Sequence, residues 1–122
     1  AAVVCLDGKY LCMQKGKTKY DYTSYKWEFP GGKIEPGETP QAALARELME
    51  EMDYPVEVGE RIVTVSHEYP DFGITMTAFL CKPLADSFRM KEHADSKWCG
   101  KEELKSLDWA AADVDIVKAI LA

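Results

Sequence analysis

Four glutamates and one arginine lie close together between residues 38 and 51: Glu38, Arg46, Glu47, Glu50 and Glu51. At about 100° per residue in a helix, Glu47, Glu50 and Glu51 share a face roughly 100° wide. Crowded carboxylates raise each other's pKa, and a divalent cation relieves that repulsion. Oxygen ligands without His or Cys favour Mg²⁺, with Mn²⁺ as an alternative. The other interpretation is a solvated acidic helix face with pairs such as Arg46–Glu50.

The residues around this cluster predict a loop that leads into a helix. Thr39 supplies a capping hydroxyl, Pro40 suits the first helical position, and residues 41–52 are almost all strong helix formers. Before the helix, Pro30-Gly31-Gly32 lets the backbone approach a ligand closely, and Glu35-Pro36-Gly37-Glu38 turns the chain. This Gly-rich loop favours a metal site over a merely solvated helix.

The stretch from Gly32 to Tyr54 follows the pattern G-x5-E-x7-R-E-U-x-E-E-x-G-U, in which U is an aliphatic residue. Through this signature the chain resembles the Nudix hydrolases, the MutT-like family. Two positions depart from it, because Asp53 stands where the family has glycine and Tyr54 where it has an aliphatic residue. Asp tolerates the left-handed helix end that glycine serves, and a Tyr ring can pack against a core. We therefore expect the chemistry to be intact.

The resemblance implies that water attacks phosphorus in a nucleoside triphosphate and releases a nucleoside monophosphate and pyrophosphate. The metal ligands that it implies are Gly32 through its carbonyl, Glu47, Glu50, Glu51 and Glu92. Glu47 or Glu38 is the candidate general base, because the family varies on this point. Arg46 is expected to orient the carboxylates through charge-assisted hydrogen bonds.

Four residues outside the metal set are candidates for substrate contact. Lys15 follows the second strand, where MutT-like proteins carry a basic residue that faces substrate phosphate. Glu28 stands just before the Pro-Gly-Gly turn, and Lys33 lies within the Gly-rich loop, where it would position a glutamate. Asp113 near the last helix is the fourth. His67 and His93 belong to no recognisable motif and receive no catalytic role.

Asp113 bears on the choice of base. MutT-like enzymes that act on 8-oxo-dGTP place an asparagine there, whereas related cytidine triphosphate pyrophosphohydrolases carry Asp in a similar segment. An ionised Asp only accepts hydrogen bonds, which suits the exocyclic amine of cytosine, although a protonated Asp still reads a guanine edge. Asp113 is also a suitable N-cap for the last helix.

We therefore expect a pyrophosphohydrolase of CTP, dCTP or modified forms, or of oxidised dGTP. The alternatives are hydrolysis of another nucleoside diphosphate derivative and a non-catalytic nucleotide-binding Nudix domain.

Composition predicts one domain over residues 1–122. The chain has 122 residues, is 47% hydrophobic and carries a net charge of −6, which argues against a nucleic-acid polymer as substrate. No apolar run is long enough for a membrane span. Four cysteines without paired spacing indicate reduced thiols and a cytoplasmic protein. A monomer or a homodimer fits equally well.

Periodicity and turn signals predict an α+β fold. Strands are expected at residues 2–6, 9–14, 26–29, 56–58, 61–69 and 74–81 and around Trp98, with a loop at 82–96. Helices are expected at 41–52, 101–106 and 113–121. Asp7-Gly8 is a strong hairpin signal between the first two strands. The order β-β-β-α-β-β-β-α resembles the Nudix fold, a mixed β-sheet sandwiched between helices (α/β/α).

Overall fold

Six strands and three helices follow one another along residues 1–122, all of which this computed structural model describes. Their bounds are β1 Ala2–Leu6, β2 Lys9–Lys15, β3 Trp27–Glu28, α1 Pro40–Met52, β4 Val56–Glu68, β5 Gly73–Pro83, β6 His93–Cys99, α2 Lys101–Leu104 and α3 Ala111–Leu121. None of the three helices has the length and apolar character that a membrane crossing requires.

The strands form one mixed sheet in the order β3-β2-β1-β5-β4, and β6 pairs with β2. β1 and β5 run parallel, whereas the other pairs are antiparallel. The β1–β2 turn has Asp7 at φ 52° and Gly8 at φ 76°. Two consecutive positive φ values are typical of the tight hairpin that Asp-Gly predicts.

Helices cover both faces of the sheet, as the α/β/α prediction requires. Successive strand residues point to opposite faces, so the apolar β1 supplies two cores. Val4 packs with Leu44 and Leu48 of α1 on one face. Val3 packs with Ile116 of α3 on the other. This sandwich places the carboxylates of α1 and the first turn of α3 on opposite sides of the sheet.

Apart from shifts of one or two residues at the ends of elements, two predicted segments differ from the structure. β4 is one strand over Val56–Glu68, because irregular pairing with β5 between Val58 and Val63 absorbs the predicted break. The predicted loop 82–96 ends earlier, since β6 begins at His93, which pairs with Lys15.

Candidate active site

Helix α1 holds the acidic cluster in a fixed orientation. The Thr39 hydroxyl accepts a hydrogen bond from the Ala42 N–H at 3.1 Å, and Pro40 occupies the first turn, as predicted. At the other end, Asp53 adopts the left-handed conformation (φ 49°, ψ 40°), and the Tyr54 ring beyond it is buried. Both expectations for the two departures from the family signature are confirmed.

Arg46 joins the glutamates of the loop and the helix. Its Nε and Nη2 donate to the two oxygens of Glu38 at 2.7 and 2.9 Å. Its Nη1 donates to Glu47 at 2.9 Å and to Glu50 at 3.0 Å, and Nη2 also reaches the Lys33 carbonyl. The guanidinium, together with the Glu35 N–H, lowers the pKa of Glu38. These contacts are those expected of a residue that orients carboxylates.

Gly32 brings the loop directly onto α1. A Cβ atom built at this position would collide with the carboxylate of Glu47. Any other residue would therefore displace either the loop or the Glu47 side chain, so glycine is required here by close approach.

Glu51 is the carboxylate with the most perturbed ionisation in the cluster. Burial, followed by the adjacent Glu47 carboxyl and the charge of Glu92, raises the pKa of Glu51 to about 7. Lys91 holds the Glu92 loop against the end of α1, because its Nζ donates to the Glu50 carbonyl at 3.2 Å and to Asp53 at 3.0 Å.

The acidic residues nevertheless do not converge on one point. No group of three or more His, Cys, Asp or Glu side chains has the arrangement of a metal site. Instead, Arg46 donates hydrogen bonds to one oxygen of Glu47 and one oxygen of Glu50. The donor set still fits a hard divalent cation, because its ligands are oxygens, Gly32 leaves room for close approach, and Glu51 faces uncompensated negative charge. The five predicted ligands stay a prediction.

A cavity of about 660 Å³ reaches the loop before α1, where Gly32 lines it, but none of the clustered side chains does: Glu38, Arg46, Glu47, Glu50, Glu51 and Glu92. All four residues predicted to contact substrate line it: Lys15, Glu28, Lys33 and Asp113. They come from distant parts of the chain and from several elements, and the fold brings them to the same cavity. Their individual roles stay predictions.

Asp113 is not the N-cap of α3, which corrects the sequence prediction. The helix begins at Ala111 with Ala110 in the capping position. The Asp113 side chain is turned instead toward the sheet, where Oδ2 accepts a hydrogen bond from the Phe29 N–H at 2.8 Å. Burial outweighs this bond, and the Glu28 charge adds to burial, so the pKa of Asp113 rises to about 7. Its Oδ1 makes no protein hydrogen bond.

Aromatic rings form another wall of the cavity. Tyr69 and Phe72 line it, with ring centroids 4.9 Å apart. Tyr22 stacks on Tyr69 at 5.6 Å, and the Tyr69 hydroxyl accepts a hydrogen bond from the Ala112 N–H at 3.0 Å. These contacts fix an apolar surface next to Asp113, which suits a flat heterocycle.

His93 contacts the cavity residue Glu28, a contact that the sequence analysis did not predict. Its Nε2 lies 2.9 Å from Glu28 Oε2, while Lys15 Nζ lies 3.5 Å from Glu28 Oε1. The feature of the sequence that could have indicated this contact is the position of His93 directly after Glu92. That signal is weak, because a lone histidine at the start of a strand has many possible environments.

Comparisons with known proteins agree with this arrangement. The model of the NUDIX domain matches residues 1–120. The CTP pyrophosphohydrolase of Escherichia coli is 34% identical over 122 residues, which cover 100% of this chain and 89% of that protein. The 8-oxo-dGTP diphosphatase of Proteus vulgaris is 52% identical over 54 residues, covering 44% of this chain and 48% of that protein. The solution structure of the E. coli ORF135 protein has a TM-score of 0.80 and 32% identity, and the match covers 99% of this chain and 85% of that one.

Proposed function

This chain belongs to the NUDIX family, and we propose that it is a Mg²⁺-dependent pyrophosphohydrolase that prefers cytosine nucleoside triphosphates. The preference for cytosine is inferred from the Asp113 carboxyl. One of its oxygens accepts a hydrogen bond from the Phe29 N–H, and Asp113 lines the cavity beside the acidic helix. The name of the E. coli relative supports the same substrate class.

The residues assigned to hold the cation are Gly32 through its carbonyl, Glu47, Glu50, Glu51 and Glu92. When bound, Mg²⁺ supplies charge that stabilises the negative phosphate oxygens as the anhydride bond breaks. Arg46 keeps Glu47 and Glu50 on one side of the helix through its 2.9 and 3.0 Å hydrogen bonds. The two carboxylates therefore have less conformational freedom to lose when they bind the cation.

Glu47 is a better candidate than Glu38 for the general base. Both oxygens of Glu38 are bound by Arg46, and the resulting low pKa makes that carboxylate a poor proton acceptor. Arg46 binds only Oε1 of Glu47, and Oε2 lies next to Gly32, which lines the cavity. We assign Glu47 Oε2 to accept the proton of the attacking water.

Two lysines are assigned to the phosphates. Lys15 and Lys33 line the cavity, and Lys15 keeps a long 3.5 Å pairing to Glu28 that leaves its ammonium donors available. The triphosphate would then extend from the lysines toward α1, with the base between Asp113 and the aromatic wall of Tyr69 and Phe72.

Asp113 Oδ1 would read the base. When ionised, it accepts a hydrogen bond from the cytosine N4 amine. When protonated, it donates to a carbonyl, as on a guanine-type edge. Because the pKa of Asp113 is about 7, both forms are populated near neutral pH. This observation makes oxidised dGTP the second candidate substrate.

A pyrophosphate-release screen with Mg²⁺ tests the proposal on CTP, dCTP, dTTP, dGTP and 8-oxo-dGTP. We expect the highest kcat/KM for a cytosine nucleotide. Asp113→Asn, which keeps the shape and the Phe29 contact, should shift kcat/KM toward guanine-type bases by about 10- to 100-fold, the scale of a hydrogen bond to a charged group. Equal rates on all substrates, or a preference unchanged in the variant, would contradict the assignment of Asp113.

A further inference from the structure

Lys15, Glu28 and His93 share one face of the sheet. Lys15 lies opposite His93 in the β2–β6 pair, and Glu28 lies opposite Met13 in the β2–β3 pair. Residues two apart in a strand, such as Met13 and Lys15, point to the same face, as do opposite residues such as Met13 and Glu28. The β2–β6 pairing is irregular between Gln14 and Lys15, and the 2.9 Å contact with Glu28 places His93 on this face. Met13 packs in the core beneath α1. The three polar residues therefore lie on the same face of the sheet as α1 and its carboxylates.

Exposure decreases from Lys15 to His93 in this trio. The side chains are 34% exposed for Lys15, 22% for Glu28 and 8% for His93. Lys15 and Glu28 line the cavity, whereas His93 does not. As seen from the cavity, His93 therefore lies behind Glu28, and it also lies close enough to Glu51 to lower the pKa of that carboxyl.

We propose that His93 is a positioning residue that keeps Lys15 available for substrate phosphate. The Nε2–H of His93 donates to Oε2 of Glu28 at 2.9 Å, which leaves only Oε1 to face Lys15. Without this donor, the half-buried carboxylate satisfies both oxygens with the nearest cation, Lys15. The ammonium is then neutralised by Glu28 instead of by substrate. The inference rests on the assignment of Lys15 under the proposed function.

Substitutions at His93 separate positioning from simple packing. His93→Leu keeps roughly the size of the side chain but replaces the ring donor with apolar carbon. We expect KM to rise about tenfold, with kcat within about twofold of wild type. His93→Gln retains an N–H donor and should restore most of the lost affinity. Asp95→Asn is the matched control in the same strand, because Asp95 is exposed and bonds only the Ser96 N–H.

A double-variant cycle tests the route through Glu28. In a Glu28→Gln background, where the negative charge is absent, His93→Leu should change KM by less than about twofold. An equally large effect in both backgrounds would show that His93 acts by another route and would overturn the inference.

Two measurements do not depend on turnover. In ¹⁵N NMR spectra, the His93 Nε2–H should give a slowly exchanging signal that Glu28→Leu, which has no acceptor, removes. Calorimetry with a CTP analogue that carries a methylene bridge between its α and β phosphorus atoms should show about tenfold weaker binding to His93→Leu. These readouts also apply if one His93 variant folds poorly, since His93→Gln and Glu28→Leu remain.

The outcomes distinguish the inference from the proposed function. A wild-type chain that binds the analogue but releases no pyrophosphate contradicts the proposed reaction and leaves the His93 inference supported by NMR and calorimetry. Wild-type affinity in His93→Leu, no rescue by a folded His93→Gln, or a fall in kcat with unchanged KM overturns the inference. A wild-type chain that binds no nucleoside triphosphate contradicts both.

Discussion

Asp113→Asn should remove a large pH-dependent contribution to the stability of the fold. The carboxyl is 4% exposed, and its pKa rises from an ordinary value of 3.8 to about 7 on folding. Because the folded state binds the proton more tightly, this group favours folding below pH 4, and its contribution is lost as the pH rises through 7. Asn keeps the acceptor for the Phe29 N–H and does not titrate.

The size of the effect follows from the two pKa values. One pKa unit corresponds to about 1.4 kcal/mol, so a carboxyl that shifts from 3.8 to about 7 disfavours folding by roughly 4 kcal/mol at alkaline pH. Between pH 5 and pH 8, the unfavourable contribution of this carboxyl to the free energy of folding grows by about 3 kcal/mol. The free energy of unfolding of Asp113→Asn, relative to wild type, should therefore rise by that amount over this range.

Urea unfolding of both proteins at several pH values from 5 to 8 measures this difference. Glu51 titrates in the same window, but it is present in both proteins and cancels in the subtraction. Two curves that stay parallel within about 0.5 kcal/mol would refute the reasoning, since a carboxyl whose burial outweighs the nearby Ala1 ammonium and Lys15 must take up a proton on folding.

Four further substitutions test the acidic cluster and the loop before it. Glu50→Gln or Glu51→Gln should lower kcat at least ~100-fold, and near-full Mg²⁺-dependent turnover of both would contradict the site assignment. Arg46→Lys keeps the charge but loses the planar fork, so kcat should fall about 10- to 100-fold in the same assay, while unchanged kcat would argue against orientation by Arg46. Gly32→Ala should lower kcat by about 10- to 100-fold with little change in Tm, because the added Cβ displaces a flexible carboxylate. Gly16→Ala is its control, since a Cβ there meets no atom within 4 Å.

The features that the sequence predicted correctly are those with local causes. Thr39 and Pro40 begin α1 through contacts within one turn, and Asp53 ends it by a backbone conformation that few residues tolerate. The Asp7-Gly8 hairpin likewise depends only on the backbone dihedral angles of those two residues. The spacing of the glutamates was informative because a helix converts sequence distance directly into angular position.

The features that the sequence missed depend on contacts between distant residues. Asp113 was predicted to cap its own helix, but its carboxylate binds the N–H of Phe29, 84 residues away. His93 binds Glu28, 65 residues away. Local propensity cannot predict either contact. The first depends on how α3 packs on the sheet, and the second on how β6 pairs with β2 within it. The Arg46–Glu38 contact, by contrast, spans eight residues and agrees with the predicted orientation of carboxylates by Arg46; the prediction did not specify that Arg46 would bind both Glu38 oxygens.

The bond between Asp113 and Phe29 links base selection to the cleavage site, because Phe29 immediately precedes the Pro30-Gly31-Gly32 turn. Asn at position 113 still accepts the Phe29 N–H, whereas Ala leaves that buried donor without a partner. Asp113→Asn should therefore alter the preference between bases while kcat for its best substrate stays within about twofold of wild type. Asp113→Ala should lower kcat about tenfold for every base, since a displaced turn moves Gly32 away from Glu47. Steady-state kinetics on CTP and 8-oxo-dGTP distinguish the two variants, and equal kcat values in both would show that the turn is held independently of Asp113.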